Sequence, residues 1–323
     1  MKILLTHSPE ARANYYGERA LAGLKAVAEV KLNEQETLQG EALIGAAQDC
    51  DLIVSYRQSP APAALFERLP KLVAFLRCAI DIRNVDVAAA SRAGVLVTQA
   101  SAGFVAAVVE QVFGFMIDLS RRIGEYSSSY HAGEIPAARM GRELKGSTLG
   151  VIGYGAIGRE VARIGKVLRM RVLVNDPYAK DVEQTPFDTL LQQSDYVVPL
   201  AVATAETENL MDASAFSKMK RGAFFINVSR GNLVDEAALE AALASGHLGG
   251  CAMDVGRAPD QMPSPRLAAR PDVLATPHSA GLTLPAIEHQ SLETVAQAAE
   301  IIQKRIPKGA VNGEHWTRRV LLK

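Results

Sequence analysis

Thr148-Leu149-Gly150-Val151-Ile152-Gly153-Tyr154-Gly155-Ala156-Ile157-Gly158 is the stretch from which this chain is best read. An apolar run over 148–152 meets Gly-x-Gly-x-x-Gly, and the glycines open a helix-patterned stretch that ends near residue 168. The next strand-like run, 171–175, is followed by Asp176, 18 residues beyond the last glycine. Three glycines alone are a weak signal. With a strand before them, a helix after them and a carboxylate at this distance, they read as a dinucleotide site.

Each part has a physical task. Gly153 permits the tight turn, Gly155 lets the backbone approach a pyrophosphate, and Gly158 lets the helix pack closely on the strand. Free amides at the start of that helix suit an anion. Asp176 is placed to accept hydrogen bonds from both adenosine ribose hydroxyls and to repel a 2′-phosphate, so NAD is expected as the cofactor rather than NADP.

At 323 residues, two domains are a better expectation than one. The 35 basic and 35 acidic residues balance, which gives no sign of a nucleic-acid surface or a membrane-binding patch. Cys50, Cys78 and Cys251 are scattered and form no Cys-x-x-Cys pair, so neither a disulfide framework nor a bound metal is expected. The first residues lack the pattern of an export signal. The most apolar long segment, 102–119, carries Glu110, Gln111 and Asp118, so it falls short of a membrane span. A cytoplasmic protein is expected.

Short β-rich runs at 2–6, 52–55, 73–78 and 95–98 alternate with helix-patterned stretches such as 16–27 and 85–93. A second series runs through 148–152, 171–175, 196–200, 224–228, 250–255 and 273–276. Such alternation predicts parallel sheets covered by helices, in two α/β units. Residues 104–130 read as one long connecting helix whose apolar face could serve a dimer contact. Residues 285–304 read as another, with proline near its start and Pro307 beyond its end, able to cross back to the first unit.

Three further motifs follow the glycines: Ile226-Asn227-Val228-Ser229-Arg230-Gly231-Asn232-Leu233-Val234-Asp235-Glu236, then Ala252-Met253-Asp254-Val255, then Thr276-Pro277-His278. In this order they resemble the D-isomer-specific 2-hydroxyacid dehydrogenase family, which includes phosphoglycerate dehydrogenases and glyoxylate or hydroxypyruvate reductases. The resemblance implies an α/β fold of two doubly wound parallel-sheet domains, with a Rossmann NAD-binding domain (102–284) inserted in a flavodoxin-like substrate domain (1–101 and 285–323). It also implies a homodimer and interconversion of a small 2-oxo acid with its D-2-hydroxy acid. Arg230 and His278 match the family's catalytic pair. Gly153, Gly155, Ala156, Ile157, Gly158, Asp176, Val202, Val228, Ser229, Arg230, Asp254, His278 and Ser279 match positions that touch the cofactor.

The chemistry asks for the same residue types. Reducing a 2-oxo acid needs a cation to hold the carboxylate and polarise the carbonyl, which a planar guanidinium does by a bidentate contact. It also needs a proton for the new hydroxyl, which an imidazole can give near neutral pH. Arg230 and His278 both follow strand runs, on the side where open α/β sheets bind ligands.

The chain departs from the family in three places. Where a glutamate before proline usually meets the histidine, it reads Asp254-Val255-Gly256-Arg257-Ala258-Pro259-Asp260. Asp260 is the nearest downstream carboxylate; it either substitutes as a catalytic partner or is a solvated loop residue, and without a carboxylate neighbour the imidazolium loses a stabilising charge. Where glycines hold the substrate carboxylate, the chain has Ala79-Ile80-Asp81-Ile82-Arg83-Asn84. Ala79 and Ile80 are still expected at the substrate, and Arg77 either reaches a second anionic group on it or forms an internal ion pair with Asp81. Gln99-Ala100-Ser101-Ala102-Gly103-Phe104 replaces the usual opening of the long helix. Family members that mainly sense NAD and bind proteins leave a second reading open, in which catalysis is weak or lost.

Overall fold

The computed structural model describes residues 1–322 and divides into two compact units, one formed by Met1–Phe104 and Leu282–Lys323, the other by Val105–Gly281. The first is a parallel sheet of five strands, β1 (Lys2–Leu5), β2 (Glu29–Leu32), β3 (Leu52–Ser55), β4 (Ala74–Arg77) and β5 (Leu96–Gln99), in the order β2-β1-β3-β4-β5. β3 and β4 are buried along their whole length, which is why they read as unbroken apolar runs. β2 escaped the sequence reading: Glu-Val-Lys-Leu is a partly buried edge strand with no apolar run to announce it.

The chain after residue 282 completes this unit. A helix over Leu284–Ile302 is followed by a tail whose buried Asn312 accepts from the Val97 amide (2.8 Å) and donates to the Val95 carbonyl (3.0 Å). Trp316 is buried beside it and donates to the Val73 carbonyl at 3.1 Å.

At the carboxyl end of β1 lies a group with a measurable consequence. His7 is buried between the Tyr16 and Tyr56 rings, 5.0 Å from each, and neither ring nitrogen has a hydrogen-bond partner. Burial pushes its pKa from 6.5 down to about 3, with the positive charges of Arg12 and Arg77 adding to the effect. The unfolded chain therefore binds a proton below pH 6.5 that the folded chain refuses until about pH 3. The stability His7 contributes is whole above 6.5 and drains away as the pH falls toward 3. His7→Leu is expected to flatten the fall in urea midpoint between pH 7 and pH 4; a slope equal to that of the wild type would contradict this account.

The second unit is a six-stranded parallel sheet: β6 (Thr148–Ile152), β7 (Arg171–Asn175), β8 (Tyr196–Pro199), β9 (Phe224–Asn227), β10 (Gly250–Met253) and β11 (Val273–Ala275), in the order β11-β10-β9-β8-β6-β7. β6 lies between β7 and β8, so the winding reverses there and opens a crevice at the carboxyl ends of β6 and β8. The single long helix expected over 104–130 is two, Val105–Arg121 and Ile123–His131. Arg122 turns left-handed (φ 57°), and the Asp118 carboxylate accepts from the Gly124 amide at 2.9 Å, so a side chain of the first helix holds the start of the second.

Candidate active site

The glycine fingerprint sits at the reversal of the second sheet. Gly153 has φ 98°, and a Cβ there would fall 2.5 Å from the Ala201 amide nitrogen at the end of β8. A Cβ on Gly158 would fall 2.1 Å from the Gly153 carbonyl oxygen. These two glycines are required by packing alone. Gly155 differs, because a Cβ there meets nothing within 4 Å. The space in front of it is open, and the helix it precedes, Ala156–Val167, has no side chain capping its first amides. An open backbone turn and uncapped helical amides fit a pyrophosphate.

Asp176 follows β7 and braces this turn, with Oδ2 accepting from the Tyr154 amide (2.6 Å) and Oδ1 from that of Tyr178 (2.9 Å). Its oxygens keep lone pairs for ribose hydroxyls. Val202 is 77% exposed beyond β8, whereas Val228 is buried beyond β9. The Ser229 hydroxyl donates to the Ala201 carbonyl at 3.3 Å, tying the ends of β8 and β9 together.

Arg230 is held by a residue to which the sequence reading gave no task of its own. Asn227, buried at the end of β9, accepts from the Ser229 amide (3.0 Å) and donates to the Arg230 carbonyl (2.9 Å), which closes the turn presenting the arginine. The Arg230 guanidinium in turn donates to the Ser229 carbonyl at 2.7 Å. Just past it, Gly231 lies against the main chain of Gly256, where a Cβ would fall 2.1 Å from the carbonyl oxygen. The segments following β9 and β10 are therefore in backbone contact.

Asp254 ends β10 with 1% of its surface exposed. Its Oδ1 accepts from the Thr276 hydroxyl (2.6 Å) and the Ser279 amide (2.8 Å), and its Oδ2 from the Ala280 amide (3.0 Å). Its own carbonyl accepts from the His278 amide at 2.9 Å. A residue expected at the cofactor thus builds the turn that carries His278, with Thr276 and Ser279 as its partners.

His278 is half-buried and left-handed (φ 53°). Its Nδ1 lies 2.6 Å from the main-chain carbonyl of Asp260. A carbonyl only accepts, so Nδ1 carries the proton and Nε2 is left as the atom that can gain or lose one. Asp260 does meet the histidine, but at this nitrogen it offers a main-chain oxygen where a carboxylate was considered. Asp260 and Gln261 are themselves left-handed (φ 55° and 57°), which aims that carbonyl at the ring.

In the first unit, Arg77 is 2% exposed. Its guanidinium donates to the carbonyls of Asp81 (3.0 Å), Tyr56 (2.8 Å), Ser59 (3.1 Å) and Arg57, and contacts the Ser55 hydroxyl. The carboxylate of Asp81 instead pairs with Arg83 at 2.6 Å. The Arg77–Asp81 ion pair considered from sequence is replaced by a guanidinium gripping main-chain oxygens, which fixes the loops after β3 and β4. Ala79 and Ile80 are half-buried on the second of these loops. Ser101 is anchored separately, its amide donating to Glu293 (2.6 Å) and its hydroxyl 2.8 Å from His289 Nε2.

The family profile for the D-isomer specific 2-hydroxyacid dehydrogenase NAD-binding domain matches residues 113–280. A glyoxylate reductase from Korarchaeum cryptofilum is 30% identical over 322 residues, spanning 92% of this chain and 93% of that one. The chain belongs to this family. It is an NAD-dependent oxidoreductase of the D-2-hydroxyacid dehydrogenase type. A D-3-phosphoglycerate dehydrogenase from Archaeoglobus fulgidus is 34% identical over 251 residues, which cover 75% of this chain but 48% of that protein, so the dehydrogenase spans about half its length. Among solved structures, the apo D-lactate dehydrogenase of Escherichia coli superimposes with a TM-score of 0.83 at 26% identity, covering 96% of this chain and 100% of that one. No helix among the described residues is long and apolar enough to cross a membrane.

Proposed function

We propose that this dehydrogenase interconverts a small 2-oxo acid and its D-2-hydroxy acid, of the glyoxylate, hydroxypyruvate or phosphohydroxypyruvate class, with Arg230 and His278 as its catalytic residues. The observation that carries the reading is the ring of His278, anchored through Nδ1 so that Nε2 is its proton-moving atom, past the carboxyl end of a strand in the same parallel sheet as the strand before Arg230. NADH, when bound, supplies the hydride for C2 of the substrate. Arg230 holds the substrate carboxylate and polarises the carbonyl as charge builds on its oxygen. His278 gives the proton at Nε2 to that oxygen in reduction and takes it back in oxidation. Gly155, Ala156, Ile157 and Gly158 would hold the pyrophosphate, Asp176 the ribose, and Ser229 and Ser279 the turns beside it.

The substrate class draws support from the glyoxylate reductase that matches over nearly its whole length. A homodimer is supported by apolar side chains left in solvent on the second unit, Ile135 at 88% and Met140 at 98% exposed, beyond the helices to residue 131. A cytoplasmic setting is supported by three buried, unpaired thiols, which suit a reducing compartment.

The test is NADH oxidation at neutral pH against a panel of 2-oxo acids. Arg230→Ala is expected to lower kcat/KM about 100-fold or more, chiefly through KM if the arginine binds carboxylate equally in ground and transition states and through kcat if it acts on the developing charge. Tight NADH binding with no turnover of any 2-oxo acid would overturn the reading in favour of a cofactor-sensing module.

A further inference from the structure

We propose that Arg257 is a positioning residue that fixes the tautomer and direction of the His278 ring by holding the loop that supplies its hydrogen-bond acceptor. The inference rests on the catalytic role given to His278. It begins from the acceptor, a main-chain carbonyl, 2.6 Å from Nδ1. A carboxylate side chain can adjust to a ring by rotating; a main-chain carbonyl sits where its loop puts it.

That loop needs outside support. Two successive non-glycine residues, Asp260 and Gln261, are left-handed, a conformation that persists only where surrounding contacts impose it. Internal bonds close the loop on itself, Gly256 amide to Gln261 carbonyl at 2.8 Å and Ala258 amide to Met262 carbonyl at 3.1 Å. They leave its placement on the sheet open.

Arg257 supplies the placement. Its Nε and Nη2 donate to the Val234 carbonyl (3.2 and 3.0 Å), and Nη2 also lies within reach of the Asn232 carbonyl (3.1 Å), Asn209 Oδ1 (2.6 Å) and Glu208 Oε1 (2.8 Å). Its amide donates to Glu236 Oε1 at 3.1 Å. The segment thus gripped begins at Arg230, and the Gly231–Gly256 backbone contact is the near end of the same junction. One side chain therefore ties the acceptor of the proton-moving histidine to the strand end that presents the substrate-binding arginine.

The simpler reading is a surface ion pair with Glu208. The two side chains are 36% and 41% exposed, and a pair that exposed has little effect alone. A guanidinium fork bonded to two main-chain carbonyls does something an ion pair does not: it fixes direction.

The test uses the full-length protein without cofactor and reads the ring nitrogens of its histidines by 15N NMR, with His278→Gln identifying the resonances of His278. At a pH chosen so that free imidazole is neutral, the wild type is expected to show a His278 ring protonated at Nδ1. Arg257→Met is expected to give a mixture of the two neutral tautomers, with kcat reduced about 10- to 100-fold and KM little changed, and Arg257→Lys a partial return on both readouts. Arg266→Met, which removes an exposed ion pair with Glu240 elsewhere in the same unit, controls for loss of surface charge and is expected to keep the wild-type ring spectrum. An Arg257→Met ring still protonated at Nδ1 alone overturns the proposal whatever its kcat, as does a wild-type ring protonated at Nε2. If Arg257→Met does not fold, Arg257→Lys decides on the same criterion. A wild type that turns over no 2-oxo acid removes the proposed function, while the ring spectrum still reports on the placement of the acceptor.

Discussion

His278→Ala is expected to lower kcat for 2-oxo acid reduction by about 10²- to 10⁴-fold, the range a positioned general acid contributes. The histidine sits at the end of β11 on a turn fixed through Asp254, with Nδ1 committed to the Asp260 carbonyl and Nε2 open. The variant removes the imidazole from this turn and leaves the glycine fingerprint and Asp176 untouched, so NADH affinity, read by fluorescence titration, should change far less than kcat. Added imidazole should restore part of the rate, because the defect is a missing proton donor in an otherwise formed site. A fall of less than tenfold would remove His278 from the proton transfer.

Asp254→Ala should be the more damaging change to the fold. Three donors, the Thr276 hydroxyl and the amides of Ser279 and Ala280, lose their acceptor together, around a carboxylate that is 1% exposed. A buried donor left unsatisfied costs about 1–3 kcal/mol. With partial relaxation, a total on the order of 3 kcal/mol is expected, or roughly 6–12 °C in Tm for a unit of this size. Activity should fall by about 100-fold, since a displacement of His278 of only about 1 Å is enough for that. Calorimetry on the apo protein beside NADH titration separates the two roles of this carboxylate. An unchanged Tm with weakened NADH binding would return Asp254 to the cofactor contact expected from sequence and overturn its assignment as the brace of the His278 turn.

Much of the architecture was open to reading along the chain because its signals are local. The strand–glycine–helix–Asp176 sequence, the alternation of β-rich and helical runs, and the placement of Arg230 and His278 after strands depend on neighbours within one or two elements. The edge strand β2 was hidden because partial burial erases the apolar run, and the break at Arg122 because a single left-handed residue leaves the helical pattern on both sides intact.

The dinucleotide fingerprint, the family and the two residues proposed for chemistry can be read along the chain, since each is written in side chains at fixed spacing. Tertiary structure alone decided what holds them. Asn227 closing the Arg230 turn, Asp254 bracing His278, Arg77 gripping loop carbonyls and Arg257 clamping the 256–262 loop all join segments through main-chain amides or carbonyls. The acceptor for His278 is the plainest case. The chain shows that a glutamate is missing, but its replacement is a peptide oxygen, a group every residue carries; only the left-handed backbone at Asp260 and Gln261 singles that one out.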